Sequence, residues 1–165
     1  MKWIAIAGAW RKTNKQVEED IKKTVKEIIS QGNGIISGGA LGVDYLATDE
    51  ALKLGCDSKQ IKIFIPSTLE IYKTHYLNRA KEGVVTEEQV KSLIDQLEKI
   101  KDLGALVEGK DVLLNKETYF NRITEIIKNA NELVAFHVNK TEGTQDTINK
   151  AQKKGISVNI FEYSI

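Results

Sequence analysis

A doubly wound α/β domain, a parallel sheet covered by helices on both faces, is the fold class that the sequence predicts. Three observations predict it. Short apolar runs alternate with longer helix-periodic stretches, the rhythm of strand–helix–strand units. The runs at the start, at Ile35-Ile36 and at Glu132–Val138 each lead into small or donor-rich residues before a helical stretch. The composition, 165 residues with 41% hydrophobic and 28% charged side chains, suits one globular domain able to bury a core.

Taken in order, Trp3–Ala7 reads as a first buried strand. Over Lys15–Gln31, Val17, Ile21, Val25, Ile28 and Ile29 share one helical face, and Gly32-Asn33-Gly34 stops that helix. Ile35-Ile36 starts a second strand, and Leu41–Leu54 reads as a helix ending at Gly55. Ile61–Ile65 is a third strand, closed by Pro66, the only proline. The regular alternation then breaks. Thr68–Lys81 is helical in pattern. Thr86 opens an amphipathic helix with a capping box to Gln89 and a stripe of Val90, Leu93, Ile94, Leu97 and Ile100. The stretch through Gly104, Gly109 and Asp111 to Leu114 reads as loop or a short edge segment. The alternation resumes with a helix over Lys116–Asn129, a strand over Glu132–Val138, a helix over Gly143–Lys154 and a last strand over Ile156–Phe161.

The prediction is thus a single domain over 1–165, with about five strands in the order 3-2-1-4-5 and a helical excursion at about 67–115. Right-handed crossovers and the placement of the small-residue loops give that order. The apolar stripe of the excursion must be covered, either by the domain itself or by a second subunit; the second is favoured, hence a homo-oligomer.

Charge and composition exclude several classes. Lys+Arg number 24 against 23 Asp+Glu, and a net charge of +1 makes no case for wrapping nucleic acid. No apolar run approaches the ~18 residues of a membrane span, and the N-terminal run is too short for a signal peptide, so a cytoplasmic domain is expected. A single cysteine, Cys56, rules out an internal disulfide. His75 and His137 have no partner spacing for a metal or for a nucleophile's base. Neither metal nor cofactor is expected; His137 reads as a core or edge residue and Trp3 as core.

The most informative segment is Gly34-Ile35-Ile36-Ser37-Gly38-Gly39-Ala40-Leu41-Gly42-Val43-Asp44. Glycines let a ligand approach the backbone, and free amides at a helix start attract anions, so Gly38, Gly39, Ala40 and Gly42 are candidate phosphate contacts. A tight strand-to-helix turn would need the same glycines. On the ligand reading, Gly39→Val abolishes binding while the fold survives. Asp44, in the first turn, favours the helix dipole or ties down the loop. Gly8 and Arg11 after the first strand, and Glu142, Gly143 and Thr144 after the fourth, converge on the same end of the sheet, where ligands of open parallel sheets bind. Thr144 either caps its helix or faces a phosphate. Arg11, Arg79 and Arg122 are the only arginines; a bidentate fork suits phosphate, and Tyr119 and Asn121 beside Arg122 offer a ring and an amide.

Ser37-Gly38-Gly39-Ala40-Leu41-Gly42-Val43-Asp44 resembles the S-G-x-A-x-G-x-D signature of the DNA-processing protein A family. The block from Asn121-Arg122 to Glu142-Gly143-Thr144-Gln145-Asp146 is similar to the Lonely Guy phosphoribohydrolases, with their arginine-bearing helix, apolar strand and P-G-G-x-G-T-x-x-E. Both belong to the SLOG superfamily of Rossmann-like nucleotide-binding domains, and its small uncharacterised members look nearest. The resemblance implies binding or sensing of a nucleotide-like small molecule at the strand ends. A second implied reading is a nucleotide hydrolase using Asp146, Glu142 or Asp44, although Thr147 stands where Lonely Guy has its catalytic glutamate and Asn139-Lys140-Thr141 replaces Pro-Gly-Gly. The third, single-stranded DNA binding, is the least supported: Leu41 replaces a usual arginine and the net charge is near neutral.

Overall fold

The computed structural model describes residues 1–165. Its elements are β1 (Trp3–Gly8), α1 (Lys15–Ser30), β2 (Gly34–Gly38), α2 (Val43–Lys53), β3 (Ile61–Ile65), α3 (Leu69–Lys81), α4 (Glu87–Asp102), β4 (Leu106–Glu108), α5 (Lys116–Lys128), β5 (Glu132–Val138), α6 (Glu142–Lys154) and β6 (Ser157–Tyr163). The six strands form one parallel sheet ordered β4-β3-β2-β1-β5-β6. Ile6 on β1 lies opposite Val134 on β5, as the predicted order requires.

The inner strands are covered on both faces of the sheet, which is why they read as apolar runs rather than alternating ones. Alternate side chains serve two cores. Ile4, Ile6, Ile35 and Ile63 face α1 to α4, whereas Ala5, Ile36, Leu133 and Ala135 face α5 and α6. The helices follow the periodicity that announces them: α1 buries Val17, Ile21, Val25 and Ile28 and is capped by Asn14, whose side chain accepts from the Val17 amide. The capping box at Thr86 and Gln89 forms, and a second one forms at Asn115 and Thr118. No helix is long and apolar enough to cross a membrane.

The structure corrects the sequence reading at the excursion. The segment expected to be loop or edge contains β4, which pairs Leu106, Val107 and Glu108 with Ile63, Phe64 and Ile65 of β3. Three residues between glycines carry too little period to be recognised as a strand. Residues 67–115 are therefore a longer crossover, β3–α3–α4–β4, continuous with the α/β pattern. The apolar stripe of α4 lies in the main core, with Ile94 its most exposed member at 4%. It is covered from within the subunit, so the argument that it demands a second copy falls.

Candidate functional site

The chain leaves β1 for α1 on one face of the sheet and leaves β5 for α6 on the other. Between those adjacent strands the winding direction reverses, and a crevice opens at their carboxyl ends. It is a cavity of about 730 Å³. Gly8 to Lys12 after β1, Gly38 and Ala40 after β2, and Thr141, Gly143 and Thr144 after β5 line it. From above, α3 adds His75, Tyr76 and Arg79, and α5 adds Tyr119, Phe120, Arg122, Ile123 and Ile126.

The glycine-rich turn does something other than present bare amides. A β-carbon on Gly42, whose φ is +80°, would fall 2.4 Å from the Ala9 carbonyl oxygen and 2.6 Å from the Trp10 carbonyl carbon. That close approach lets the Val43 N–H donate to the Ala9 carbonyl at 3.0 Å, so the first amide of α2 is satisfied within the chain. Asp44 folds back over the turn. Its carboxylate accepts from the Ser37 hydroxyl at 2.8 Å and lies 3.4 Å from the Ala40 amide. The anion held by this loop is the chain's own. Burial lifts the Asp44 carboxyl above the ordinary aspartate range, and the Arg122 charge and the Ser37, Ala40 and Gly38 hydrogen bonds work against that rise. Asp44 thus ties down the loop, the structural role weighed for it.

Gly39 faces the core. A β-carbon there would lie 2.6 Å from Ile65 Cγ2 and 3.1 Å from Leu97 Cδ2, and the Gly39 carbonyl accepts from the Tyr72 hydroxyl at 2.8 Å. A valine at 39 would strike buried side chains first, so the Gly39→Val experiment reads packing rather than ligand access. Neither Gly39 nor Gly42 lines the cavity.

Arg122 stands across the turn. A β-carbon on Gly38 would meet Arg122 Cζ and Asp44 Oδ2, each at 2.7 Å, so this glycine is what lets both charged groups close in. The guanidinium packs 5.3 Å from the Tyr119 ring centroid. Its Nε and Nη1 are buried and have no hydrogen-bond partner. Burial opposes its charge, but the surrounding Tyr72, Asp44, Tyr119 and Tyr76 shift its pKa upward on balance, and of these Asp44 is the one that carries a negative charge at neutral pH when ionised. Buried donors without acceptors are uncommon, and each costs about 1–3 kcal/mol.

The opposite wall is the start of α6. No side chain caps its first-turn amides; the Thr141 hydroxyl donates to Thr144 Oγ1 at 3.0 Å instead. A β-carbon on Gly143 would meet open space. The turn that aims this helix is left-handed at two non-glycine residues, Asn139 (φ 50°) and Lys140 (φ 53°). Paired hydrogen bonds between the Asn139 amide group and the Ile165 backbone, at 3.1 and 2.9 Å, hold the strained geometry.

Two further candidates lie outside. Asn121 is on the exposed side of α5, and Glu142 turns to solvent and pairs with Lys116 at 2.6 Å. Asp146 pairs with Lys150, and the Thr147 hydroxyl donates to the Gly143 carbonyl at 2.9 Å. Asp44 is the sole carboxylate lining the cavity, against Arg11, Lys12, Arg79 and Arg122. Arg79 is shared with Glu82, 3.2 Å away. Tyr76, Val84 and Lys12 had no motif to announce them; the i, i+4 pair Tyr72 and Tyr76 in α3 was the signal available. Burial lowers the His75 pKa from its ordinary value, with Arg79 adding to the effect. His137 is buried within β5, as expected.

This crevice at the switch point of a parallel sheet, with a signature Ser37–Asp44 turn beside it, defines a Rossmann-like domain of the SLOG superfamily. The chain belongs to the DNA recombination-mediator protein A family, whose model matches residues 1–165. Among solved structures it is similar to DNA processing protein A from Helicobacter pylori, described in a single-stranded DNA binding mode, with a TM-score of 0.70 at 22% identity. That likeness covers 96% of this chain and 64% of the other. The protein TM1055 gives a TM-score of 0.59 at 16% identity, covering 96% and 72% of the two chains. DNA processing protein A from Streptococcus pneumoniae gives 0.52 at 17%, covering 95% and 58%. The chain thus spans less than two thirds of either DNA processing protein. No curated protein matches it in sequence.

Proposed function

We propose that the crevice binds a nucleotide-like small molecule, with a phosphate between Arg122 and the α6 N-terminus and the base against the rings of Tyr119 and Phe120. The observation that carries this reading is the Arg122 guanidinium, buried beside the cavity with two nitrogens unpaired. An oxyanion on those nitrogens and on the first-turn amides of α6 would satisfy both sets of donors at once. Binding is favoured over hydrolysis because the cavity's carboxylate is already engaged by Ser37 and Ala40, and a threonine occupies the Lonely Guy glutamate position.

A second reading takes the same phosphate from a DNA strand. Family membership and the Helicobacter pylori neighbour favour it, as do Arg11, Lys12 and Arg79 around the mouth. Calorimetric titration with adenosine monophosphate and with an oligothymidylate, each at low and moderate salt, separates the two. The small-molecule reading expects saturable one-site binding of the mononucleotide with a shallow salt dependence. Binding of the oligothymidylate alone, with a steep salt dependence, would transfer the site to DNA. Binding of neither would remove the function proposed.

A further inference from the structure

The loop after β1 has a firm base and a free tip. At its base, the Ala9 carbonyl is locked onto the start of α2 by the Val43 amide, and Gly42 packs against the Ala9–Arg11 backbone. At its tip, Trp10 is 40% exposed, and the Arg11 guanidinium lies 4.5 Å from the Trp10 ring centroid. Arg11 reaches across the cavity mouth and donates from Nη1 to the Val84 carbonyl, in the turn between α3 and α4, at 2.9 Å. Both ends of this bridge line the cavity.

The bridge is a weak one. A solvent-exposed arginine on a single neutral carbonyl gains little, whereas an anionic acceptor gives a hydrogen bond roughly twice as strong. Resting on the reading of the crevice as a phosphate site, we propose that Arg11 and Trp10 form a clamp. When an anionic ligand enters, Arg11 leaves the Val84 carbonyl for the ligand's oxyanion and carries the Trp10 ring over the opened mouth. Arg122 is the fixed charge of the floor, held in place by packing; Arg11 is the mobile charge of the rim. The clamp acts on how long the ligand stays. Steering to the mouth depends on the summed field of Lys12, Arg79 and Arg122 as well, so entry is little changed by Arg11 alone.

The test uses Trp3→Phe protein, in which Trp10 is the only tryptophan. Trp3 lies at the other end of β1, against Gly34 and Lys62, and its loss leaves the mouth intact. Adenosine monophosphate is added in a stopped-flow fluorimeter, and its binding is measured independently by calorimetry. Trp10 emission is expected to shift with the calorimetric midpoint. Arg11→Ala is expected to speed release roughly tenfold with association nearly unchanged, and Arg11→Lys to fall between, since it keeps the charge without the fork. If the mononucleotide binds by calorimetry while Trp10 emission stays constant and Arg11→Ala releases it at the parent rate, the clamp is refuted and the pocket stands. If the parent binds no mononucleotide at all, the pocket reading fails and the clamp with it.

Discussion

Arg122→Met protein is expected to bind adenosine monophosphate about thirtyfold more weakly than the parent, the loss of about 2 kcal/mol that goes with one charge-assisted phosphate contact. Arg122→Lys should recover only part of that, because a lysine keeps the charge but not the planar fork. A structural reading of Arg122 predicts lost stability and no specific effect on the ligand, so stability must be measured alongside. Removing Arg122 leaves Asp44 buried without its opposite charge, which pushes a carboxyl already raised by burial higher still. A carboxyl whose pKa is higher folded than unfolded favours the folded state in its protonated form. Its contribution is greatest below the ordinary aspartate pKa and is lost as pH rises through the raised value. The Arg122→Met deficit should therefore be largest at neutral pH and shrink on acidification. Adding Asp44→Asn should erase that pH dependence without restoring the ligand. Thermal denaturation across pH and calorimetric titration of the three proteins provide the check; parent-like affinity in Arg122→Met would place the arginine outside the site.

Gly42→Ala is expected to destabilise the domain by about 3 kcal/mol, a fall in melting temperature of roughly 6–12 °C for a chain of this size. Two costs add. A positive φ is strained for any residue with a β-carbon, and the new carbon would sit 2.4 Å from the Ala9 carbonyl oxygen, a backbone atom that cannot rotate away. Relief means moving the Ala9–Arg11 loop and breaking the Val43–Ala9 hydrogen bond, so the cavity's β1 wall shifts as well. Gly143→Ala is the control: nothing lies within 4 Å of its added carbon, and in a helix first turn alanine should be neutral or mildly stabilising. If Gly42→Ala melts like the parent, the loop is not packed on α2 as described.

The contrast between these two glycines shows what could be read from the chain alone. Apolar period located α1, β3, β5 and α6 because a sheet buried on both faces imposes continuous apolar runs, and helices over it impose a one-sided stripe. It left β4 open between loop and short edge segment, because its three residues pair only where α4 returns the chain to the sheet edge. The small residues of the Gly38–Gly42 turn and the arginine at 122 were visible as types. Their division of labour was not. Gly38 admits Arg122, Gly39 packs on Ile65 and Gly42 admits the Ala9–Arg11 loop, each through a partner far away in sequence, while Asp44 takes the anion's place in the turn through the nearby Ser37 and Ala40. Of the wall supplied by α3, only Arg79 was visible as a type: Tyr76 reads as core until the crossover brings it beside Arg122 and Tyr119.

The central claim is that a phosphate sits between Arg122 and the start of α6. Amide NMR of isotope-labelled protein titrated with adenosine monophosphate tests it most directly. The account predicts that the backbone amides of Gly143 and Thr144 and the Arg122 Nε–H resonance move together with a single midpoint, because one oxyanion accepts from all three. Binding that perturbs other resonances while these three stay fixed would contradict it.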